Sequence, residues 1–190
     1  MKDRRTRRAA IRDGLVVAGG AVAAAAGPPL YGAGSALAKA EDASALLTRA
    51  IELEQTSVVT YRTLAGGDLL EAEVRRAAEL FADQEQLHVD ALVDALEERG
   101  GTRPEPPKAA RVEGLDGLDS QADALEFAIE LENKTVVVYD RIAAELDEAD
   151  LVKTAAQIVG NEAQHLVVLR QQLGEDPVPD AFEAGKGEEE

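Results

Sequence analysis

Cysteine is absent from this 190-residue chain, and methionine, histidine and aromatic residues are scarce. Without cysteine the chain has no disulfides, zinc–thiolate sites, iron–sulfur clusters or thiol nucleophiles. Met1 is the only methionine, so no internal methionine is available as an axial haem ligand. Aromatic residues make up 3% of the chain, and Ala, Leu, Val, Glu and Arg are abundant. This composition is typical of a helical protein rather than a β-sandwich.

Positive charge is also scarce, with 20 Lys and Arg residues against 37 Asp and Glu residues and a net charge of −17. Residues 1–38 nevertheless carry a net charge of +4, so the remainder carries −21. A domain this acidic repels nucleic acid and anionic lipid, and we expect no nucleic-acid partner. The acidic excess favours solubility, and it also attracts cations such as Fe²⁺.

The first forty residues have the layout of an export signal. Residues 1–13 are basic, Gly14–Ala26 is apolar, and Ala36-Leu37-Ala38 is a small-residue cleavage pattern. Arg7-Arg8 resembles the core of a twin-arginine signal, although Ala10 replaces the usual bulky apolar residue. The alternatives are an ordinary signal peptide or an uncleaved anchor, and the apolar run is short for a membrane span. We expect residues 1–40 to direct export to the periplasm, cell envelope or medium, with membrane contact only through an uncleaved signal.

Four helical segments are expected in residues 41–174. They run from Asp42 or Ser44 to Ala65, from about Leu70 to Arg99, from Ser120 or Asp123 to Leu146, and from Asp150, a candidate N-cap, to Leu173. If Asp150 corresponds to Glu73, the second helix begins instead near residue 71 or 73. The acidic tail, residues 175–190, contains proline and glycine and is expected to be disordered.

The connections between these segments predict the topology. Helices one and two, and helices three and four, are joined by a few residues, which makes each pair an antiparallel hairpin. About twenty residues separate the hairpins, enough to run the length of a bundle. A flexible interdomain linker is the alternative, but each hairpin alone is too small to bury its apolar faces. The predicted fold is therefore an all-α four-helix bundle with one long crossover.

The two hairpins also resemble each other in sequence. Ala50-Ile-Glu-Leu-Glu54 matches Ala128-Ile-Glu-Leu-Glu132, and the following Val-Val dipeptides and tyrosines match as well. Glu85 and His88 correspond to Glu162 and His165 at nearly the same offset. We interpret the chain as an internal duplication, which would pack about a pseudo-twofold axis.

The only two histidines, His88 and His165, each follow a glutamate by three residues. Glu-x-x-His on a helix places a carboxylate and an imidazole on one face. Two such pairs, with one Glu from each of two other helices, form the ligand set of a di-iron or di-manganese carboxylate site. A single Glu-x-x-His is usually a solvated surface pair, but here the pair is duplicated and uses every histidine.

Each of the other two helices offers two candidate glutamates, Glu52 or Glu54 in the first and Glu130 or Glu132 in the third. Residues two apart on a helix point to different sides, so only one of each pair faces inward. Glu54 and Glu132 share their faces with apolar residues. The predicted metal ligands are therefore Glu54, Glu85, His88, Glu132, Glu162 and His165.

Tyr61 and Tyr139 each lie seven residues, or two turns, after a predicted ligand, Glu54 and Glu132. They are candidates to hydrogen-bond a ligating carboxylate or to donate an electron in catalysis. The alternative is that both are amphipathic core residues.

With these motifs, residues 42–173 resemble the ferritin-like superfamily, on the bacterioferritin and rubrerythrin side, and especially exported bacterial proteins with a ferritin-like domain. The resemblance implies two iron ions, with manganese possible, and oxidation of Fe²⁺ by O₂ or peroxide, or peroxide reduction. It is also compatible with a homo-oligomer. The lack of cysteine excludes a rubredoxin-type module, and nothing in the sequence indicates a mineral-storing cage. Alternatives are metal binding without turnover, and a metal-free bundle with buried ion pairs.

Overall fold

A computed structural model describes the backbone of residues 31–186 and the side chains of residues 43–186. Within this range the chain forms four α-helices and no strands, which confirms the all-α fold. The helices are α1 (Tyr31–Gly66), α2 (Ala72–Glu97), α3 (Gln121–Glu145) and α4 (Ala149–Leu173). None of the described helices combines the length and the hydropathy needed to cross a bilayer.

Contacts at the two ends of the bundle define how the helices run. At one end, the backbone N–H of Glu71, just before α2, donates to Gln121 Oε1 at the start of α3 (2.7 Å). At the other end, Arg99, just after α2, pairs with Glu148, just before α4. The end of α1 therefore lies near the start of α3, and the end of α2 near the start of α4. Both hairpins are antiparallel, as predicted.

The turn between α1 and α2 is held by one arginine. Arg75 Nη1 donates to the carbonyls of Ala65 (2.5 Å) and Gly67 (2.5 Å), and Arg75 Nη2 donates to the carbonyl of Leu70 (3.0 Å). These carbonyls include groups left without helical partners where α1 ends. Because the turn occupies residues 67–71, α2 begins at Ala72. This agrees with the alternative start near residue 71 or 73 rather than with Leu70.

The crossover between the hairpins packs on the bundle instead of hanging free. It includes two short 3₁₀ turns, Ala109–Arg111 and Leu115–Gly117. Val112 and Leu115 are buried, and Gln55 Nε2 of α1 donates to the carbonyl of Pro104 (2.8 Å). The crossover carries the chain from the end of α2 to the opposite end of the bundle, where α3 begins.

Two expected helix boundaries were wrong. First, α1 begins at Tyr31 rather than at Asp42 or Ser44. The segment between Tyr31 and Asp42 is rich in alanine, which has high helix propensity, and it contains no proline to break the helix. Second, Asp150 is not the N-cap of α4, because Glu148 occupies that position. Asp150 lies instead in the first helical turn, where a negative charge interacts favourably with the helix dipole.

Other predicted boundaries are confirmed by cap geometry. Ser120 caps α3, its Oγ accepting from the backbone N–H of Asp123 (3.2 Å). Gly174 ends α4 with φ of 84°, a left-handed conformation that glycine adopts without steric cost. The tail after Gly174 has no helix up to Lys186, and its Glu183 accepts a hydrogen bond from the buried Arg170 (2.8 Å). The prediction that this tail is disordered stays a prediction.

The apolar core has two clusters, one toward each end of the bundle. One is built around Leu47, Ile51, Leu92, Ile142 and Ile158. The other is built around Leu64, Val74, Phe81, Leu125 and Leu169. The middle of the bundle, between the clusters, contains buried polar residues instead. The basic and apolar parts of the predicted export signal, residues 1–26, lie outside the described residues.

Candidate metal centre

The middle of the bundle brings all six predicted ligands together. Glu54 comes from α1, and Glu132 comes from α3. Glu85 and His88 come from one face of α2, and Glu162 and His165 from one face of α4. The three-residue spacing places each Glu and His about one turn apart on the same side of its helix. Each of the four helices therefore contributes at least one side chain to the cluster.

The six side chains form two overlapping groups of potential metal ligands. One group is Glu54, Glu85, His88 and Glu162, and the other is Glu85, Glu132, Glu162 and His165. Within each group the ligand atoms lie within 4.8 Å of one another. Glu85 and Glu162 belong to both groups, whereas each remaining ligand belongs to one.

The shared carboxylates divide their oxygens between the two histidines. Glu85 Oε2 lies 3.0 Å from His88 Nδ1, and Glu85 Oε1 lies 3.1 Å from His165 Nδ1. Glu162 repeats the pattern, with Oε1 3.0 Å from His88 Nδ1 and Oε2 3.3 Å from His165 Nδ1. Each shared carboxylate thus offers one oxygen to each half of the cluster.

Glu54 and Glu132 each lie close to only one of the two histidines. Glu54 Oε2 is 3.4 Å from His88 Nδ1, and Glu132 Oε1 is 3.3 Å from His165 Nδ1. Both side chains are buried, whereas Glu52 and Glu130 are exposed. The apolar faces of α1 and α3, which carry Glu54 and Glu132, therefore point toward the interior of the bundle.

Several atoms of this cluster are buried without a hydrogen-bond partner among the described residues. They are Glu54 Oε2, Glu85 Oε1, Glu132 Oε2, both oxygens of Glu162, and His165 Nδ1. Three carboxylate oxygens lie close to His165 Nδ1, yet none has hydrogen-bond geometry. Buried charged groups are costly unless they are paired or coordinate metal. Unpartnered donor atoms converging from four helices fit a metal-ion centre.

Burial and mutual repulsion oppose ionisation of two carboxyls. Burial raises the pKa of Glu132 to about 8, and the negative charge of Glu162 adds to this effect. Burial, together with the charges of Glu54 and Glu132, raises the pKa of Glu85 well above its usual range. Burial also opposes ionisation of Glu162, but the close imidazoles of His165 and His88 lower its pKa. Without metal, the cluster therefore retains carboxyl protons at neutral pH.

The two imidazoles are held in their charged form. Burial favours the neutral form of His88, but the carboxylates of Glu162, Glu54 and Glu85 raise its pKa to about 12. Burial likewise opposes the charge of His165, and its three neighbouring carboxylates raise its pKa to about 12. The metal-free cluster is thus a network of imidazolium and carboxyl groups in which protons occupy the place of cations.

The two tyrosines form hydrogen bonds across the bundle, from one helical hairpin to the other. Tyr61 donates to Glu132 Oε1, and Tyr139 donates to Glu54 Oε1. Each tyrosine therefore bonds the glutamate of the other helical hairpin rather than the one two turns before it. Burial, reinforced by the adjacent glutamates, raises the pKa of both phenols well above the usual value, so both remain protonated donors. Both tyrosines are thus core residues of the two apolar clusters and also hydrogen-bond a candidate ligating carboxylate, whereas electron donation stays a prediction.

We expect Tyr139→Phe to lower the free energy of unfolding of the metal-free protein by about 1.5–3 kcal/mol, because it removes a buried hydrogen bond to a carboxylate. Urea denaturation monitored by circular dichroism measures this change. In a Glu54→Ala background the same substitution should cost less, because the accepting carboxylate is already absent. An equal cost in both backgrounds would show that the tyrosine acts only through packing.

Sequence reasoning missed two residues that contact His165. Gln84 Oε1 lies 2.8 Å from His165 Nε2, and the ring of Phe81 stacks on the imidazole, with centroids 4.0 Å apart. Both residues are on α2, while His165 is on α4. The signal available in the sequence was their position four and seven residues before His88, on the helix face that carries the Glu-x-x-His motif.

Comparison with known proteins agrees with this architecture. A family model described as a ferritin-like domain matches residues 41–175. The solved structure of a conserved hypothetical protein of Mycobacterium tuberculosis is similar, at 23% identity and a TM-score of 0.63, covering 75% of this chain and 99% of that one. A ferritin-like, diiron-carboxylate protein of Bacillus anthracis str. Ames is 18% identical, with a TM-score of 0.63 and coverage of 71% and 97%. No curated protein matched the chain.

Proposed function

Because this chain belongs to the ferritin-like domain family, we propose that it binds two divalent metal ions, preferentially iron, and oxidises Fe²⁺ with O₂ or peroxide. The observation that carries this proposal is that Glu85 and Glu162 each belong to both ligand groups. One ion would be held by Glu54 and His88, the other by Glu132 and His165, and both by the shared carboxylates. The B. anthracis protein of similar fold is itself described as a diiron-carboxylate protein, which supports the same assignment.

The chemistry of the donor set fits iron, and it also accepts manganese. Carboxylate oxygens are hard ligands and imidazole nitrogens are borderline, a combination that suits these two metals, and no cysteine is present to favour softer ones. Four ionised carboxylates carry a charge of −4, which balances two divalent ions. A neutral assembly is the state that a buried site tolerates best.

Bound iron would supply the electrons: oxidation of two Fe²⁺ delivers two electrons, which with two protons reduce O₂ to hydrogen peroxide, or peroxide to water. The protein would supply position and protons. Tyr61 and Tyr139 hold their hydroxyl protons against Glu132 and Glu54, which fixes the rotamers of these carboxylates. The apolar clusters on both sides limit the access of water to the centre.

Binding without turnover is a second candidate, favoured by the burial of five of the six candidate ligands. Glu54, Glu85, Glu132, Glu162 and His165 are all buried. Ions held in such a site would be sequestered from solvent, which suits iron scavenging or a stress-protective role. Under either function we propose that residues 1–40 direct export, and the twin-arginine route, which carries folded proteins, would allow metal loading beforehand.

Metal analysis and oxidation assays test these functions together. The full chain, purified anaerobically with Fe²⁺, should carry about two ions, and it should then consume one O₂, or one peroxide, per two Fe²⁺ oxidised. Two ions without oxidant consumption above that of free Fe²⁺ would support the binding function. Fewer than about one ion after incubation with Fe²⁺ or Mn²⁺ would contradict both. Glu79→Ala, an exposed position on the same helix as Glu85, is the control.

A further inference from the structure

The two histidines of the metal centre differ in exposure and in support. The His165 side chain is 1% exposed, whereas that of His88 is 12% exposed. Phe81 covers one face of the His165 ring, with the two ring planes inclined by 28°. The two Glu-x-x-His motifs therefore place their histidines in two different environments.

Gln84 fixes the orientation of His165. Its Oε1 atom is an acceptor, so it accepts a hydrogen bond from the N–H of His165 Nε2, 2.8 Å away. This contact leaves Nδ1, the nitrogen that faces Glu85, Glu132 and Glu162, as the atom available to a metal. A hydrogen bond from the second ring nitrogen is the usual way in which proteins orient a metal-binding histidine.

His88 lacks this support within the described part of the chain, where its polar contacts involve Nδ1 alone. The position that corresponds to Gln84, four residues before the histidine of its own helix, is Asn161. Asparagine is one methylene shorter than glutamine. The residue that corresponds to Phe81 is Ile158, which has no aromatic ring to stack on an imidazole.

We propose that Gln84 is a positioning residue that holds His165 in place. It makes the Glu132/His165 side of the centre the retaining position, which releases its metal ion slowly, and leaves the Glu54/His88 side as the exchanging position, which releases its ion faster. This inference rests on the proposed binding of two ions. An ion at the retaining position can leave only if a ring held by Gln84 and Phe81 moves. An ion at the exchanging position needs only His88, at the partly exposed edge, to swing away. Divalent cations therefore enter and leave by the His88 side.

Metal exchange tests this inequality directly. The full chain is loaded with Mn²⁺ under anaerobic conditions and mixed with excess Zn²⁺, which binds nitrogen and oxygen sites more tightly. We expect one Mn²⁺ per chain to be released at least ten times faster than the other. Gln84→Leu should accelerate the slow phase about 10–100-fold, because losing such a supporting hydrogen bond typically weakens metal affinity by this factor. Gln84→Glu keeps an acceptor oxygen and should restore slow release.

Two further variants sharpen the test. Gln86→Leu is the matched control, because Gln86 lies on the same helix but bonds Asp90 on the surface (3.0 Å). It should leave both phases unchanged. Asn161→Gln lengthens the side chain that corresponds to Gln84, and it should slow the fast phase by giving His88 an acceptor.

A measurement on the metal-free protein keeps the test independent of loading. The Nε2 proton of His165 should exchange slowly with solvent in nitrogen-15 NMR spectra, and this protection should be lost in Gln84→Leu. Release of both Mn²⁺ ions at one common rate in the wild-type chain would overturn the inference while leaving the proposed function intact. Failure to load Mn²⁺ at all would contradict the proposed function instead.

Discussion

At pH 6 the protein is expected to bind a pair of divalent ions about 10⁴-fold more weakly than at pH 7, because about four protons must leave the cluster before both ions enter. Two of these protons are on His88 and His165, whose carboxylate neighbours raise each pKa to about 12. The others are on Glu132, with a pKa of about 8, and on Glu85, whose pKa burial also raises. Two divalent ions thus replace four protons with no change in net charge.

The same pKa shifts make the metal-free protein less stable as the pH rises. The folded state binds more protons than the unfolded state wherever a folded pKa is raised, so the free energy of unfolding falls with pH. For Glu132 the stabilising contribution is complete below pH 4.5 and is lost as the pH rises through about 8. For the histidines it is complete below pH 6.5 and is lost through about pH 12. The stabilisation that metal confers should therefore grow between pH 4.5 and 8.

Calorimetric titration with Mn²⁺, in buffers of different ionisation enthalpy, counts the protons released at pH 7. Glu132→Gln removes one titrating group, so it should release about one proton fewer for the ions that still bind. Glu126→Gln, an exposed position on the same helix, should release the wild-type number. Release of fewer than two protons by the wild-type chain would show that at least one of the two histidines is neutral before metal binds.

Replacing a shared carboxylate should empty the whole centre, whereas replacing a ligand of one half should leave an ion behind. Glu162 offers one oxygen to each half, so Glu162→Ala removes a ligand from both ions. We expect its metal content to fall from about two ions per chain to well below one. His88→Ala removes a ligand from one group only, and about one ion should remain on the Glu132/His165 side.

Elemental analysis after gel filtration measures these contents, and the melting temperature in metal-replete buffer should fall with them, since a ligand that binds only the folded state stabilises it. Glu130→Ala replaces an exposed glutamate of α3 and serves as the control. Circular dichroism establishes that each variant is helical. Two ions in Glu162→Ala would mean that this carboxylate is not a shared ligand, and complete loss in His88→Ala would mean that the halves do not bind independently.

The topology and the six-residue cluster were predictable because they depend on local patterns. Glu85 and His88 share a helix face through a three-residue spacing, and Glu54 and Glu132 follow the 3.6-residue apolar period. Short turns and one long crossover then leave few ways to assemble four helices. The start of α1 was not predictable in the same way, since the alanine-rich segment before Asp42 fits either a cleavage region or a helix.

The sequence by itself determined that this chain is an all-α bundle of four helices whose buried faces carry four glutamates and two histidines. Only the tertiary structure decided how these residues divide. Glu85 and Glu162 each direct one carboxylate oxygen toward His88 and the other toward His165. Tyr61 pairs with Glu132 and Tyr139 with Glu54, and Gln84 lies against His165. The reason is physical: helix periodicity fixes which way a side chain points, whereas its partner depends on how far neighbouring helices have slid and turned against each other.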